Sequence, residues 1–442
     1  MRLADISWPS GRERAAECIP GPTERTFVYR RAGATAPAFV YPRPDRVSES
    51  RSKGLLSEKD GKGARMKRKF LWIGLLLTLF LSACTPQNRV IGDCLKEAVA
   101  FDFQPEDPVI PPCMKERFSQ KKMVLFGEIH HVKEHGDFMA ALLTELHDAG
   151  FRWYLQEVGV AEGAVIDAYL QGEPVAVPLG QYAYDEAVIA QIATLNRELR
   201  NSGREDEQIR YIGFDIHHMD TYKPSLHALA ELYSGQKLDK NDEPEAWLAQ
   251  IDDGLNEEQK KTLARLTEAE AATKAIKESW SHTKREIFME EQLRHVVERS
   301  APEEKILVNT GIFHAQLVSE WTLDQDHNFE WLALRMKHAL SEDTVYTVGV
   351  NVVEGELLRS WHRTETYAYR AETEAGRTDL IARLARDYPG RHVFVDFEKI
   401  GAPIEDVPVQ NPMRDTDIPL RAQFDAMLVY PTATPVSNPM LP

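Results

Sequence analysis

Several histidines of this chain fall beside carboxylates at the ends of apolar runs. Gly127, Glu128, His130 and His131 close the run KKMVLFGEI, and His135 follows shortly after. Glu157 lies near the end of FRWYLQEV. Asp215, His217, His218 and Asp220 end or follow QIRYIGFDI, and His314 follows KILVNTG. Two chemistries suit such a set. An imidazole held by a carboxylate can act as a general base on water or a hydroxyl, because the carboxylate fixes its tautomer and supports its positive charge. Alternatively, Glu128, His130, Glu157 and His314 could hold a divalent metal such as Mn, Fe or Zn. Neither spacing decides between them. HEXXH is absent, and so is GxSxG, which argues against the usual serine hydrolase. No Walker A or GxGxxG run occurs in the acidic part of the chain.

Taken singly, each residue has an ordinary explanation. His131 or His135 could be a polar residue at a helix start, Glu157 a paired structural acid, and His217-His218 a solvated turn. Their recurrence at successive strand ends is what points to a site. The apolar runs that carry them read as buried strands, and they alternate with helical periodicity. Residues 134–149 place Phe138, Ala141, Leu142, Leu146 and Ala149 on one helical face, ahead of Gly150. Helices are also expected at 161–171, 185–201, 329–340 and 377–388. Further strands are expected at 151–158, 208–216, 305–311, 346–353 and 392–397, with a short last one at 426–430. Strands alternating with helices imply an α/β fold with a mainly parallel central sheet flanked by helices. Parallel strands bring all their carboxyl ends to one rim, where open sheets bind ligands. Residues 221–300 break the alternation. They are charged and helical in pattern, with no strand candidate, and read as a helical insertion that either caps the sheet edge or braces it.

The charge distribution separates this domain from what precedes it. Residues 1–69 hold 16 Lys and Arg against 8 Asp and Glu, while the chain from Cys84 onward holds 37 against 61, a net of −24. Between them, the cations Lys67-Arg68-Lys69 precede the apolar stretch Phe70–Phe80 and then Leu-Ser-Ala-Cys84. This is the pattern of a secretory signal, too short for a spanning helix of about 20 residues. The string before Cys84 resembles a bacterial lipobox, which predicts a lipidated Cys84 after a signal peptide at 66–83. Residues 1–65 are rich in Arg, Pro, Gly and Ser and bury no core. They read as preceding the true start at Met66, or as a disordered extension. Residues 84–120 read as a tether and irregular lead-in, and 121–435 as the α/β domain. The expectation is a cell-envelope protein that meets the membrane through its lipid and faces the periplasm or outer membrane. Cys94 and Cys113 would close a loop in an oxidising compartment, or remain two buried thiols. The acidic domain shows no basic stripe and is not expected to bind nucleic acid.

The string VLFGEIHHVKEH, with an amphipathic helix after it, resembles the opening motif of the erythromycin esterase, ChaN and Tiki superfamily. YLQEVG places Glu157 where that superfamily carries a glutamate. IGFDIHHMD, Arg285-Glu286-x-x-Met289, VNTGIFHAQ with His314, and the closing FDAMLVYPTATP are similar to elements of the esterase branch. The branches differ in whether the motif histidine stands where His130 or His131 stands here, and this chain supplies both. The late element has one histidine where the esterases have two. The resemblance covers about 121–435 and implies a parallel α/β core with an acid-and-histidine site. It leaves three functions open. The first is a hydrolase of ester or peptide bonds, with His130 or His131 as base, Glu128 and Glu157 orienting it or binding metal, and Arg285 and His314 steadying an oxyanion. The second is a haem- or iron-binding envelope protein, in which His135, Asp215 and His217 help hold the cofactor and Tyr182, Tyr184 or Tyr222 is a candidate axial ligand. The third is a non-catalytic interaction protein on the same fold.

Overall fold

The computed structural model describes residues 97–436 other than 106, 176–185, 218, 236, 238–253, 280, 319–328, 359–365, 371–377, 401–407, 411–416 and 420–422. Cys84, Cys94, Tyr182, Tyr184, His218 and the expected signal peptide therefore lie outside the described residues. Cys113 is half-buried at the edge of the core.

Five strands build the centre: β2 (Met123–Glu128), β3 (Phe151–Gly159), β4 (Arg210–Asp215), β5 (Lys305–Gly311) and β6 (Val345–Leu358). Every residue of β2 is buried, as expected of a parallel strand covered on both faces. Alternate side chains serve opposite faces. Val124 and Phe126 join one hydrophobic cluster with Phe138 and Leu142 of α2 (Lys133–His147). Met123 and Leu125 join another with Met289 and Leu293 of α7 (His282–Arg299) and Met336 of α8 (Leu332–Leu340).

The sheet is completed by β1 (Val99–Phe101), β7 (Thr366–Arg370), β8 (His392–Asp396) and β11 (Ala426–Ala433). Its order is β1-β8-β11-β6-β2-β5-β3-β4, with β7 paired to the far end of β6. Pairings from β11 to β4 are parallel, while β8, β1 and β7 pair antiparallel. The mainly parallel sheet expected from the sequence is thus present, with an antiparallel edge. The chain leaves β2 through α2 for β3, and leaves β5 through α8 for β6. These two connections diverge from neighbouring strands onto opposite faces, which opens a crevice at the carboxyl ends of β2 and β5.

The lead-in is more ordered than its breaker-rich sequence suggested. Residues 99–101 add strand β1, and α1 (Pro112–Ser119) buries Met114 and Phe118. Proline at the first helical position is favourable, since its missing N–H has no helical partner there. The helical insertion comprises α5 (Met219–Ser234), α6 (Glu257–Ser279) and α7. Of these, α6 and α5 pack with α3 (Val160–Leu170) in their own cluster. Helix α3 lies directly on β4: a Cβ at Gly163 would fall 2.0 Å from the Gly213 nitrogen, so only glycine allows this approach. Helix α4 (Glu186–Asn201) packs on the α2 face, and α9 (Thr378–Asp387) covers the β6 end of the same side. Two short strands, β9 (Pro408–Gln410) and β10 (Asp417–Pro419), pair with one another. Among the described residues no helix is long and apolar enough to cross a membrane.

Candidate active site

The rim at the ends of β2, β3, β4 and β5 gathers Glu128, His130, Glu157, Asp215, Arg285 and His314 into one network. Glu128 ends β2 with its side chain buried at 4 % exposure, while the His130 side chain two residues on is 49 % exposed. His130 Nδ1 lies 3.0 Å from Glu128 Oε1. A carboxylate can only accept, so Nδ1 carries the proton and donates it. In the neutral ring, Nε2 is then the basic nitrogen. It has no hydrogen-bond partner among the described residues and stands over Gly311, where a Cβ would approach it to 2.8 Å.

Behind Glu128 lies His135, 1 % exposed. Its Nε2 is 2.8 Å from Asn309 Oδ1 and 3.4 Å from Glu128 Oε2, and its Nδ1 is 2.9 Å from the Tyr430 hydroxyl. Burial pushes the His135 pKa down, so the ring is neutral. Neutral His135 donates from Nε2 and accepts the Tyr430 O–H at Nδ1. Burial opposes the charge on Glu128, but its hydrogen bond to His130 and the two nearby imidazoles hold its pKa below 4.5. For His130, burial opposes protonation and is outweighed by Glu128 and Glu157, so its pKa rises above 6.5.

The second half of the network centres on Glu157. Its Oε2 accepts from Thr310 Oγ1 at 2.8 Å and Gly311 N at 2.6 Å, and its Oε1 accepts from Arg285 Nη2 at 2.7 Å. Arg285, in the first turn of α7, also grips Asp215 through Nε at 2.8 Å and Nη2 at 2.6 Å. Its remaining nitrogen, Nη1, has no protein partner among the described residues. His314 stands between two acids, with Nδ1 2.7 Å from Glu286 and Nε2 3.3 Å from Glu157. Nδ1 donates to Glu286, and Nε2 faces Glu157 as an ion pair. Against the cost of burial, Glu286 and Glu157 push its pKa up to about 10, and the ring is an imidazolium. Burial alone would raise the Glu157 pKa, but His314 and Arg285 hold it well below 4.5.

This geometry refines the roles read from sequence. His314 hydrogen-bonds Glu286 through Nδ1 and lies within ion-pair range of Glu157 through Nε2. Arg285 keeps one open nitrogen. His135, Asp215 and His217 are all buried. Asp215 is fully buried under Arg285, and His135 props Glu128. His217 is buried and stacks on Tyr222 with ring centroids 4.2 Å apart, where its backbone joins α6 through Thr273 and Lys277. His131 takes the left-handed turn after β2, at φ 68°. Burial and neighbouring His130 push its pKa down to about 4. Between the two motif histidines, the Glu128 hydrogen bond goes to His130. The helical insertion contributes to the site through α7, which supplies Arg285 and Glu286. Asn309, Thr310 and Tyr430 were not singled out from sequence, and Glu286 was named only as part of the Arg285-Glu286-x-x-Met289 element. For Glu286 the available signal was its place beside Arg285 on a helix that reaches the rim.

The divalent metal considered from sequence does not fit this arrangement. Each rim carboxylate is already engaged by imidazole, guanidinium, hydroxyl or amide donors. No group of three or more His, Cys, Asp or Glu among the described residues is arranged to hold an ion.

Fold and site together define an α/β protein with a carboxylate–imidazole–guanidinium network at the carboxyl ends of its parallel strands. No protein-family model matches the chain, and no curated protein matches it. Two solved structures share its fold. One, described as a succinoglycan biosynthesis protein, aligns at a TM-score of 0.53 and 14% identity over 79% of this chain and 98% of that one. The other, a protein from Bacillus cereus, aligns at 0.56 and 13% over the same shares. The erythromycin esterase EreC aligns at 0.49 and 14% over 76% of this chain and 97% of its own. The haem-bound ChaN of Campylobacter jejuni aligns at 0.26 and 13% over 61% and 97%. The architecture shared with the first two structures is the α/β fold that the sequence resemblance implied.

Proposed function

We propose that this chain is a lipid-anchored cell-envelope hydrolase of ester or peptide bonds, with His130 as its general base. One observation carries the reading: Glu128 fixes the Nδ1–H tautomer of a half-exposed His130 and leaves the basic Nε2 open at the rim. Nε2 takes a proton from water as the water oxygen bonds to the substrate carbonyl carbon. Glu128 stabilises the imidazolium that forms. Negative charge on the carbonyl oxygen develops in the field of Arg285 and the charged His314, with Arg285 Nη1 as the open donor. His130 then returns its proton to the leaving oxygen or nitrogen as the tetrahedral carbon collapses. The anchor and the envelope location rest on the signal pattern and the lipobox-like string before Cys84.

The test is a panel of ester and peptide substrates offered to the full chain. We expect His130→Ala and Glu128→Gln each to lose most of the turnover, and we expect the rising limb of kcat/KM against pH to lie above 6.5, because the His130 pKa is raised. A haem titration on the same protein supplies the contrary outcome. A saturable Soret shift lost in His130→Ala, without turnover of any substrate, would replace the hydrolase by a haem-handling role. Incorporation of labelled palmitate, lost in Cys84→Ser, checks the anchor independently.

A further inference from the structure

A second polar cavity lies at the opposite end of β4. Arg210 opens that strand, and the cavity runs along it from there to Gly213, two residues short of Asp215 at the rim. It has a volume of about 180 Å³ and is walled by α3, α5, α6 and β4. Three guanidiniums line it, those of Arg210, Arg265 and Arg299. Two of them are committed. Arg210 grips Asp167 through Nε at 3.0 Å and Nη2 at 2.7 Å, and Arg299 meets Glu258 at 3.0 Å. Both also lie over the Trp153 ring, at 5.9 and 5.7 Å from its centroid.

Arg265 is different. It forms no ion pair among the described residues, and its polar contact is a long one, to the Gln292 carboxamide oxygen at 3.2 and 3.4 Å. Asp167 favours its charge at longer range, but no acid on the wall forms an ion pair with it. Asp167 also accepts the Tyr211 N–H and the Gln171 amide, Glu258 is shared with Lys261, and Glu173 is exposed. Burial, and repulsion from Arg299, push the Arg265 pKa down to about 10. A half-buried guanidinium that forms no ion pair can turn its planar donors to a multivalent oxyanion, whose oxygens match them.

We propose that this cavity is an anion site in which Arg265, flanked by Arg210 and Arg299, binds a single phosphate group. The phosphate is free or carried on a small organic ester, and its place is distinct from the His130 rim. The site stands on its own residues and does not depend on the hydrolase reading.

Equilibrium dialysis of the full chain against labelled orthophosphate, at constant ionic strength, tests it. We expect saturable binding of one phosphate per chain, weakened at least tenfold in Arg265→Gln and unchanged in His130→Ala. Phenyl phosphate that competes at least tenfold more tightly than orthophosphate would assign the ligand as an ester, and equal competition would assign the free ion. A second variant covers misfolding of Arg265→Gln. Thr262→Glu places a carboxylate one turn before Arg265 on the same helix, and should abolish binding while holding or raising the melting temperature. Absence of saturable binding, or binding that survives both variants, overturns the proposal.

Discussion

The two ends of the central sheet each hold a buried charge network, and the two are finished differently. At the end away from the rim, Asp396 takes Arg117 Nε at 3.0 Å, the Tyr346 hydroxyl at 3.0 Å and the Glu398 N–H at 3.1 Å. Asp425 is similarly closed by Lys337 and by both the backbone and hydroxyl of Thr347. Each acid there meets permanent donors, and no imidazole takes part. At the rim, three buried acids are closed in the same way around Arg285 and His314, but Glu128 ends on His130, which is half exposed and keeps Nε2 open. A closed network fixes structure. A network with one titratable member left open to solvent can also move a proton. The fully closed end shows what the rim would look like if its only task were stability.

The largest effect should fall on His130. His130→Ala is expected to lower turnover by about 10²–10⁴-fold, yet to cost only about 1–3 kcal/mol of unfolding free energy, from the donor lost to the buried Glu128 carboxylate. Urea unfolding beside steady-state kinetics separates the two, and a large stability loss would move His130 into the structural class. Next comes Arg285→Met, which removes the shared cation from two buried carboxylates, Glu157 and Asp215. It should cost about 3–5 kcal/mol. Arg117→Met at the other end should cost less, because Asp396 keeps Tyr346 and the Glu398 N–H. Equal losses would erase the distinction between the two ends.

A third test uses pH. The His314 pKa is raised from 6.5 to about 10, so its stabilising contribution is complete below about pH 6.5 and is lost as pH climbs through 10. Glu157 is shifted the other way, so its contribution is present above about pH 4.5 and is lost as acid protonates it. Stability should therefore fall between pH 6.5 and 10, and His314→Gln should flatten that slope. A wild-type curve that is level there would mean His314 is not held as an imidazolium. The smallest effect is Tyr346→Phe, which removes one of three donors to Asp396. It should cost about 1 kcal/mol and leave turnover unchanged.

Much of the site was legible in the sequence because its members sit at strand ends, and parallel strands share a rim. Glu128, His130, Glu157, Asp215 and His314 were placed there from order and chemistry, and Arg285 by the family resemblance. Their partners were less legible. His135 meets Tyr430 across 295 residues and Asn309 across 174, and neither distance leaves a local signature. Helix α1 and strand β1 were also hidden, since three-residue pairing and a proline-initiated helix are weak signals next to the breakers around them. The extent of β11 was underestimated because parallel pairing with β6 continues to Thr432 and Ala433, well past its apolar stretch.

The sequence by itself determined the layering, the parallel centre and which polar residues could meet, because hydrophobic periodicity and chain order are local properties. Tertiary structure alone decided how each member of a pair of like residues is partnered. His130 and His131 are neighbours of one type, yet the turn after β2 gives one of them Glu128 and the other a left-handed backbone. His314 and His135 are both buried. One lies between two carboxylates and is charged, whereas the other lies between an amide and a phenol and is neutral. Protonation depends on what stands within a few ångströms in space, and that distance is set only when the sheet is assembled.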